Sequence, residues 1–181
     1  MSLAGDILAA PARLGAVRLV AVDGPTGAGK STVAARLADD LRTRSVVTTV
    51  VPTDHFATWD DPVAWWPRLV EGVLNPLENG VPGAYQRTEW PGGVPSPGAW
   101  ITVEVPEVLI VEGVSSGRRS VHPRLSRLIW VEFGDFATRL ERSVARDGES
   151  SRAELVRWQA FEAGWFAVDH TRARACVRVR S

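Results

Sequence analysis

Eight consecutive residues, Gly24-Pro25-Thr26-Gly27-Ala28-Gly29-Lys30-Ser31, match the pattern G-x-x-x-x-G-K-[ST]. In a glycine-rich turn of this kind successive backbone N–H groups point at one spot and cradle a chain of phosphates. The positive end of the helix that follows adds to the attraction. Lys30 is the only lysine in the chain, and every other basic side chain is arginine. Lysine is a compact point charge on a thin stem, whereas arginine is a planar fork. Only the thin stem fits beside the β- and γ-phosphates inside a closed loop. The retained lysine therefore marks this loop as a working phosphate cradle, with the N–H groups of residues 26–31 expected to face inward. The Ser31 hydroxyl is expected to hold Mg²⁺, and Thr32 to lie near the α-phosphate.

Two carboxylates could complete such a site. Asp54, in Val51-Pro52-Thr53-Asp54-His55-Phe56, follows an apolar run and would face the terminal phosphate. There it could take the proton of an attacking hydroxyl, although a loop aspartate also serves as a turn or helix cap. Glu112 closes Leu109-Ile110-Val111-Glu112 just before Gly113. That is a place for a carboxylate on Mg²⁺ or its water shell, or for a charge that only ends a strand. Arg139, Arg142 and Arg146 recur at spacings of three and four and share one helix face. Turned to the cleft they could clamp phosphoryl charge; turned to solvent they are an ordinary basic stripe. His55, His122 and His170 lack metal-ligand spacing.

Alternating elements would position these groups. Residues 17–23, 45–51 and 107–112 read as short buried strands, 125–133 holds a fourth, and 175–180 a fifth. Helical stripes cover 3–14, 30–44, 135–146 and 152–168, and a further helix is expected at about 62–74. Strands alternating with helices predict an α/β fold: a parallel five-stranded sheet flanked by helices on both faces. Ligands bind beyond the carboxyl ends of such strands, so Asp23, Asp54 and Glu112 should converge. Residues 53–100 hold five of the eight tryptophans and most of the prolines. Outside the 62–74 helix they are expected to be irregular structure over a substrate.

Composition narrows the possibilities. The 181 residues suit one globular domain, and 21 basic against 21 acidic residues give zero net charge. That offers no bait for nucleic acid or an anionic membrane. The apolar runs are too short to cross a bilayer, and residues 1–15 lack the pattern of a signal peptide. One cysteine, Cys176, excludes an internal disulfide. A cytoplasmic protein is expected. The guanine signature Asn-Lys-x-Asp is absent, which argues against a GTPase.

From about residue 17 to 179 the chain resembles the uridine kinase and phosphoribulokinase superfamily of P-loop kinases. Asp54-His55-Phe56 is similar to the family's Asp-x-Phe, whose aspartate is the general base. Trp59-Asp60-Asp61-Pro62 stands where the family has Phe-Asp-His-Pro, which puts Asp60 on a ribose or polyol. Glu112-Gly113 resembles the family's Glu-Gly. The run Thr138-Arg139-Leu140-Glu141-Arg142-Ser143-Val144-Ala145-Arg146-Asp147 resembles its lid, so the resemblance turns the three arginines to the phosphates. It implies a single P-loop NTPase domain over 1–181, with a substrate-binding region at 53–100 and a lid at about 139–151. ATP would sit on Gly24, Thr26, Gly27, Ala28, Gly29, Lys30, Ser31, Thr32 and Arg139, with Mg²⁺ on Ser31 and Glu112. Asp54, Lys30, Arg142 and Arg146 would carry catalysis. Tyr85 is kept in the base-binding stretch, but Arg87 replaces a phenylalanine, Trp90 a histidine, and Ala57 a tyrosine. Asp60, Tyr85, Arg87 and Trp90 are then the substrate candidates of a nucleoside kinase-like enzyme for which uridine and cytidine are expected to be poor substrates or none. The alternatives are a kinase of another small alcohol, such as a sugar or vitamin precursor, and a nucleotide-binding regulatory protein without turnover.

Overall fold

The computed structural model describes residues 2–180. The chain opens with α1 (Leu3–Ala9), β1 (Arg18–Asp23), the phosphate-binding loop, α2 (Lys30–Thr43) and β2 (Thr48–Pro52). A helical stretch follows, made of α3 (Trp66–Leu69), a widened turn at Val70–Leu74, and α4 (Asn75–Glu78). Then come β3 (Gly83–Glu89), β4 (Ser96–Val103), β5 (Val108–Glu112), β6 (Leu125–Glu132), α5 (Phe136–Asp147), α6 (Arg152–Asp169), α7 (Thr171–Arg174) and β7 (Val177–Arg180).

Five strands form one parallel sheet in the order β2-β5-β1-β6-β7. The chain leaves the central β1 for the β2 edge, returns through β5, and crosses to β6. Neighbours of β1 are thus reached in opposite directions, which opens a crevice at its carboxyl end. Register places Val22 and Pro52 on either side of Glu112, so the ends of β1, β2 and β5 are level.

The sheet feeds two cores, because successive side chains of a strand face opposite sides. Leu19, Ala21, Leu109 and Val111 pack with Phe56, Trp65, Trp66, Leu69 and Leu77 on one face. Val20, Val22, Ile110 and Ile129 pack under α1 and α2 with Ile7, Leu37 and Leu41 on the other. Each fully buried large aliphatic side chain contributes about 1.5–3 kcal/mol to this packing.

Three expectations change, the first being that the helix expected at 3–14 ends at Ala9. The helix expected at 62–74 begins four residues later and runs on to Glu78. Its widened turn ends one residue short of Pro76, which has no N–H to donate to the Gly72 carbonyl. The rest of 53–100 is less irregular than expected, since β3 and β4 pair as an antiparallel hairpin. The Pro91–Gly93 turn joins them, with Gly92 and Gly93 at φ 63° and 81°. Its register shifts between Gln86 and Thr88, where Thr88 faces Pro97. Among the described residues no helix is long and apolar enough to cross a membrane.

Candidate active site

The phosphate-binding loop is shaped by close packing. Gly29 takes a left-handed conformation, φ 91°, and caps α2, whose first residue is Lys30. Gly27 has φ 79°, and a Cβ there would come within 2.4 Å of the Arg139 carbonyl. The loop can therefore pass beneath α5 only with glycine at position 27. Lys30 is nearly buried, and its ammonium donates to the Pro25 carbonyl at 3.1 Å.

A cavity of about 310 Å³ opens over this loop. It is lined by Gly27, Lys30 and Ser31 of the loop, by Asp54 and Glu112 from the strand ends, and by Arg142 and Arg146 from α5. Thr26, Gly29 and Thr32 also border it. Asp54 lies in a tight turn directly after β2 and is exposed to the cavity. Glu112 is buried, which pushes its pKa up; the Lys30 ammonium and a hydrogen bond from Ser31 oppose that rise. A hydroxyl beside a carboxylate at a phosphate loop is an oxygen pair that suits Mg²⁺, which is usually held by one or two protein groups and substrate phosphates. Among the described residues there is no cluster of three or more acidic, histidine or cysteine ligands that would point to a metal held by protein alone.

Arg142 and Arg146 reach this cavity differently. The Arg142 guanidinium lies 4.0 Å from the centre of the Phe133 ring. Arg146 forms two 2.6 Å bonds with Asp147. Arg139 is not brought to the cavity. It donates to the carbonyls of Phe133 and Gly134, at 3.2 and 2.9 Å, and so ties the start of α5 to the end of β6. Gly24 and Ala28 are buried in the loop's base and do not line the cavity.

Thr26 also departs from expectation. Its N–H is donated outward, to Glu162 on α6, at 3.1 and 2.9 Å. Its hydroxyl donates to the same carboxylate and accepts from the Trp158 ring N–H at 3.0 Å. Glu162 is a residue that sequence reasoning missed. The available signal was a carboxylate on the stripe Leu155, Gln159 and Glu162, which is buried throughout. Asp23 is likewise buried, accepting from Gly24 N–H at 2.7 Å and Gly117 N–H at 2.8 Å.

A second, larger cavity of about 650 Å³ lies between the hairpin and the α3 helix. Thr58, Arg68, Tyr85, Arg87 and Trp100 help to line it. Tyr85 is buried against Phe56, and its hydroxyl lies 2.8 Å from His55 Nδ1. Burial lowers the His55 pKa, aided by Arg87, so this imidazole stays neutral near pH 7. The dipeptide Asp54-His55 thus links the two cavities, Asp54 lining the first and His55 bonded to Tyr85 of the second. Arg87 is bound by Glu89 at 2.8 and 2.6 Å, which offsets its charge. Asp60 is exposed and Trp90 packs edge-on against Trp59; neither lines either of these two cavities.

No family model matches the chain, and no curated protein sequence does either. Solved structures do. A uridine kinase candidate from Bacillus stearothermophilus superposes with TM-score 0.69 at 17% identity, over 97% of this chain and 94% of that one. A candidate fructose transport system kinase from Silicibacter gives 0.66 at 21% identity, over 99% of both chains. D-glycerate 3-kinase from Cryptococcus neoformans gives 0.62 at 12% identity, over 88% and 86%. The chain has the fold of the P-loop small-molecule kinases.

Proposed function

We propose that the protein transfers the γ-phosphate of ATP to a hydroxyl of a small molecule. One observation carries this reading: Lys30, Ser31, Asp54, Glu112, Arg142 and Arg146 border a single cavity over the phosphate-binding loop. A loop that only holds a nucleotide has no use for a carboxylate such as Asp54 across from it. The likeness to kinases of a nucleoside, a sugar and glycerate supports a small alcohol as acceptor.

In this reading the N–H groups of Gly27, Gly29, Lys30 and Ser31 bind the phosphates, and Lys30 turns from Pro25 to the β- and γ-oxygens; the Ala28 N–H stays on the Pro25 carbonyl at 3.1 Å. Ser31 and Glu112 would hold Mg²⁺, which neutralises charge on the phosphates. Asp54 accepts the acceptor's hydroxyl proton and aims its oxygen in line with the γ-phosphorus. Arg142 and Arg146 meet the charge that builds on the transferring group, and α5 excludes water above it. The acceptor enters through the larger cavity, past Tyr85 and Arg87, so that one end reaches Asp54.

The acceptor is a sugar, nucleoside or other small alcohol. ADP release measured against nucleosides, sugars, glycerate and pantothenate-like alcohols, each with ATP and Mg²⁺, tests the reading. One acceptor is expected to raise ADP release far above the ATP-alone rate. No nucleotide-induced thermal shift, and no acceptor-dependent release from any class, would falsify it.

A further inference from the structure

Residues on the outside of the phosphate-binding loop are held as closely as those within it. Thr26 sits at the loop's shoulder, where its N–H and hydroxyl both turn away from the cradle. The Glu162 carboxylate takes both, and it does so 136 residues along the chain from Thr26. Trp158, one turn earlier on α6, donates its ring N–H to the same hydroxyl at 3.0 Å. The three groups form a directed chain: indole N–H to hydroxyl, hydroxyl to carboxylate. Glu162 is only 2% exposed, so solvent does not compete for the contact. On the other side, the next residue, Gly27, is pressed against the backbone of Arg139 on α5. Residues 26 and 27 are thereby clamped between the two helices that bound the lid.

We propose that Glu162, acting through Thr26, is a positioning residue for nucleotide binding: it fixes the loop from outside so that the inward N–H groups stand ready for phosphate. The inference rests on the nucleotide-binding part of the function proposed above. The physical ground is preorganisation. A loop whose donors are already aimed loses little on binding, whereas a loop that must first be ordered binds more weakly. Water would satisfy Thr26 equally well in an unheld loop, but without directing the peptide planes that follow. A buried carboxyl group that takes both the N–H and the hydroxyl holds them in one direction. Burial raises the Glu162 pKa, the Lys30 ammonium and the Thr26 bonds oppose that rise, and the side chain stays outside the cavity. It therefore holds the loop without standing where the phosphates go.

The test is the affinity of Mg·ADP for Glu162→Gln and Glu162→Ala, read by isothermal titration calorimetry at a temperature where each is folded. Glu162→Ala is expected to weaken binding by about tenfold, as for loss of the two Thr26 hydrogen bonds. Glu162→Gln keeps one acceptor oxygen and should fall between Ala and wild type. With an acceptor present, KM for ATP should rise while kcat and the acceptor's KM stay nearly constant, because Asp54 and the larger cavity are untouched. If the alanine variant does not fold, the glutamine variant decides. A folded Gln variant whose Mg·ADP affinity stays within about twofold of wild type overturns the proposal and reduces Glu162 to a stabilising contact. Wild-type protein that binds no Mg·ADP at all would overturn the nucleotide reading itself, and this inference with it.

Discussion

Lys30 holds the Pro25 carbonyl at 3.1 Å inside the loop it would serve, a bond that a phosphate oxygen can replace with a charged partner. Lys30→Ala should lower phosphotransfer by about 10²-fold or more, in line with loss of one aimed donor to developing charge. Lys30→Arg should fare little better, since a planar fork cannot follow the thin stem into a nearly buried position. A coupled ADP-release assay measures both, and full activity in either would remove the lysine from the chemistry. Asp54 is exposed in the cavity with no side-chain hydrogen bond of its own to lose, so Asp54→Asn should leave the fold and ATP binding near normal. Its kcat should fall by about 10²–10⁴ as expected for a lost general base. If kcat survives, Asp54 is a turn residue and the base lies elsewhere.

Helix α5 shows what spacing can and cannot say. Arg139, Arg142 and Arg146 share a face, yet Arg139 and Arg146 lie about 10 Å apart along the axis. The first reaches only the carbonyls of Phe133 and Gly134, and the other two reach the cavity. Periodicity gives the face of a helix but not the depth at which each turn meets a site. Arg142→Ala and Arg146→Ala should each lower kcat more than ground-state ATP affinity, because they meet charge that develops during transfer. The exposed Arg146–Asp147 pair is no obstacle, since such a pair holds a side chain only weakly. Arg119→Ala, on an exposed side chain away from both cavities, should change neither quantity. Steady-state kinetics beside ATP titrations separate these outcomes; an effect at Arg119 with none at Arg142 and Arg146 would show that the lid lies elsewhere. The hairpin gives the complementary lesson. Only Gly83, Ala84 and Tyr85 alternate in burial, the rest of β3 is half-buried, and glycine and proline at 91–98 hide the pairing, which forms only against a partner strand and the helical stretch beside it.

Across the whole molecule, the contiguous and the strand-ending features were readable, and those made by distant parts were not. The loop Gly24–Ser31 announces itself in eight residues, and Glu112 and Asp54 follow from where buried strands must end. Glu162 and Asp23 acquire their roles from contacts 136 and 94 residues away, which no local pattern encodes. Asp23 makes a prediction for stability of the entire fold. It lies under the crevice where β1 gives way to the phosphate loop, bound by Gly24 N–H and Gly117 N–H. Burial pushes its pKa from 3.8 up to about 7, against the pull of those two N–H groups and Lys30. The folded state then holds this proton at pH values where the unfolded chain has released it. Its contribution to stability is complete below the unfolded pKa, declines as pH rises, and is gone once pH passes about 7. Between pH 5 and pH 7 that decline amounts to about 2–3 kcal/mol for one group. The carboxylates held low by arginine, such as Glu132 and Glu141, act with the opposite sign, but in acid below their ordinary 4.5. Other groups whose pKa burial shifts, Glu112 and Glu162 upward and His55 downward, remain in both proteins of a paired comparison. Urea unfolding of wild type and Asp23→Asn at pH 5 and pH 8 therefore isolates Asp23. The variant, which cannot ionise there, should lose less stability across the interval than wild type by roughly that amount. Parallel profiles would mean that Asp23 stays charged throughout, held by its two backbone N–H bonds and Lys30 more strongly than burial opposes it.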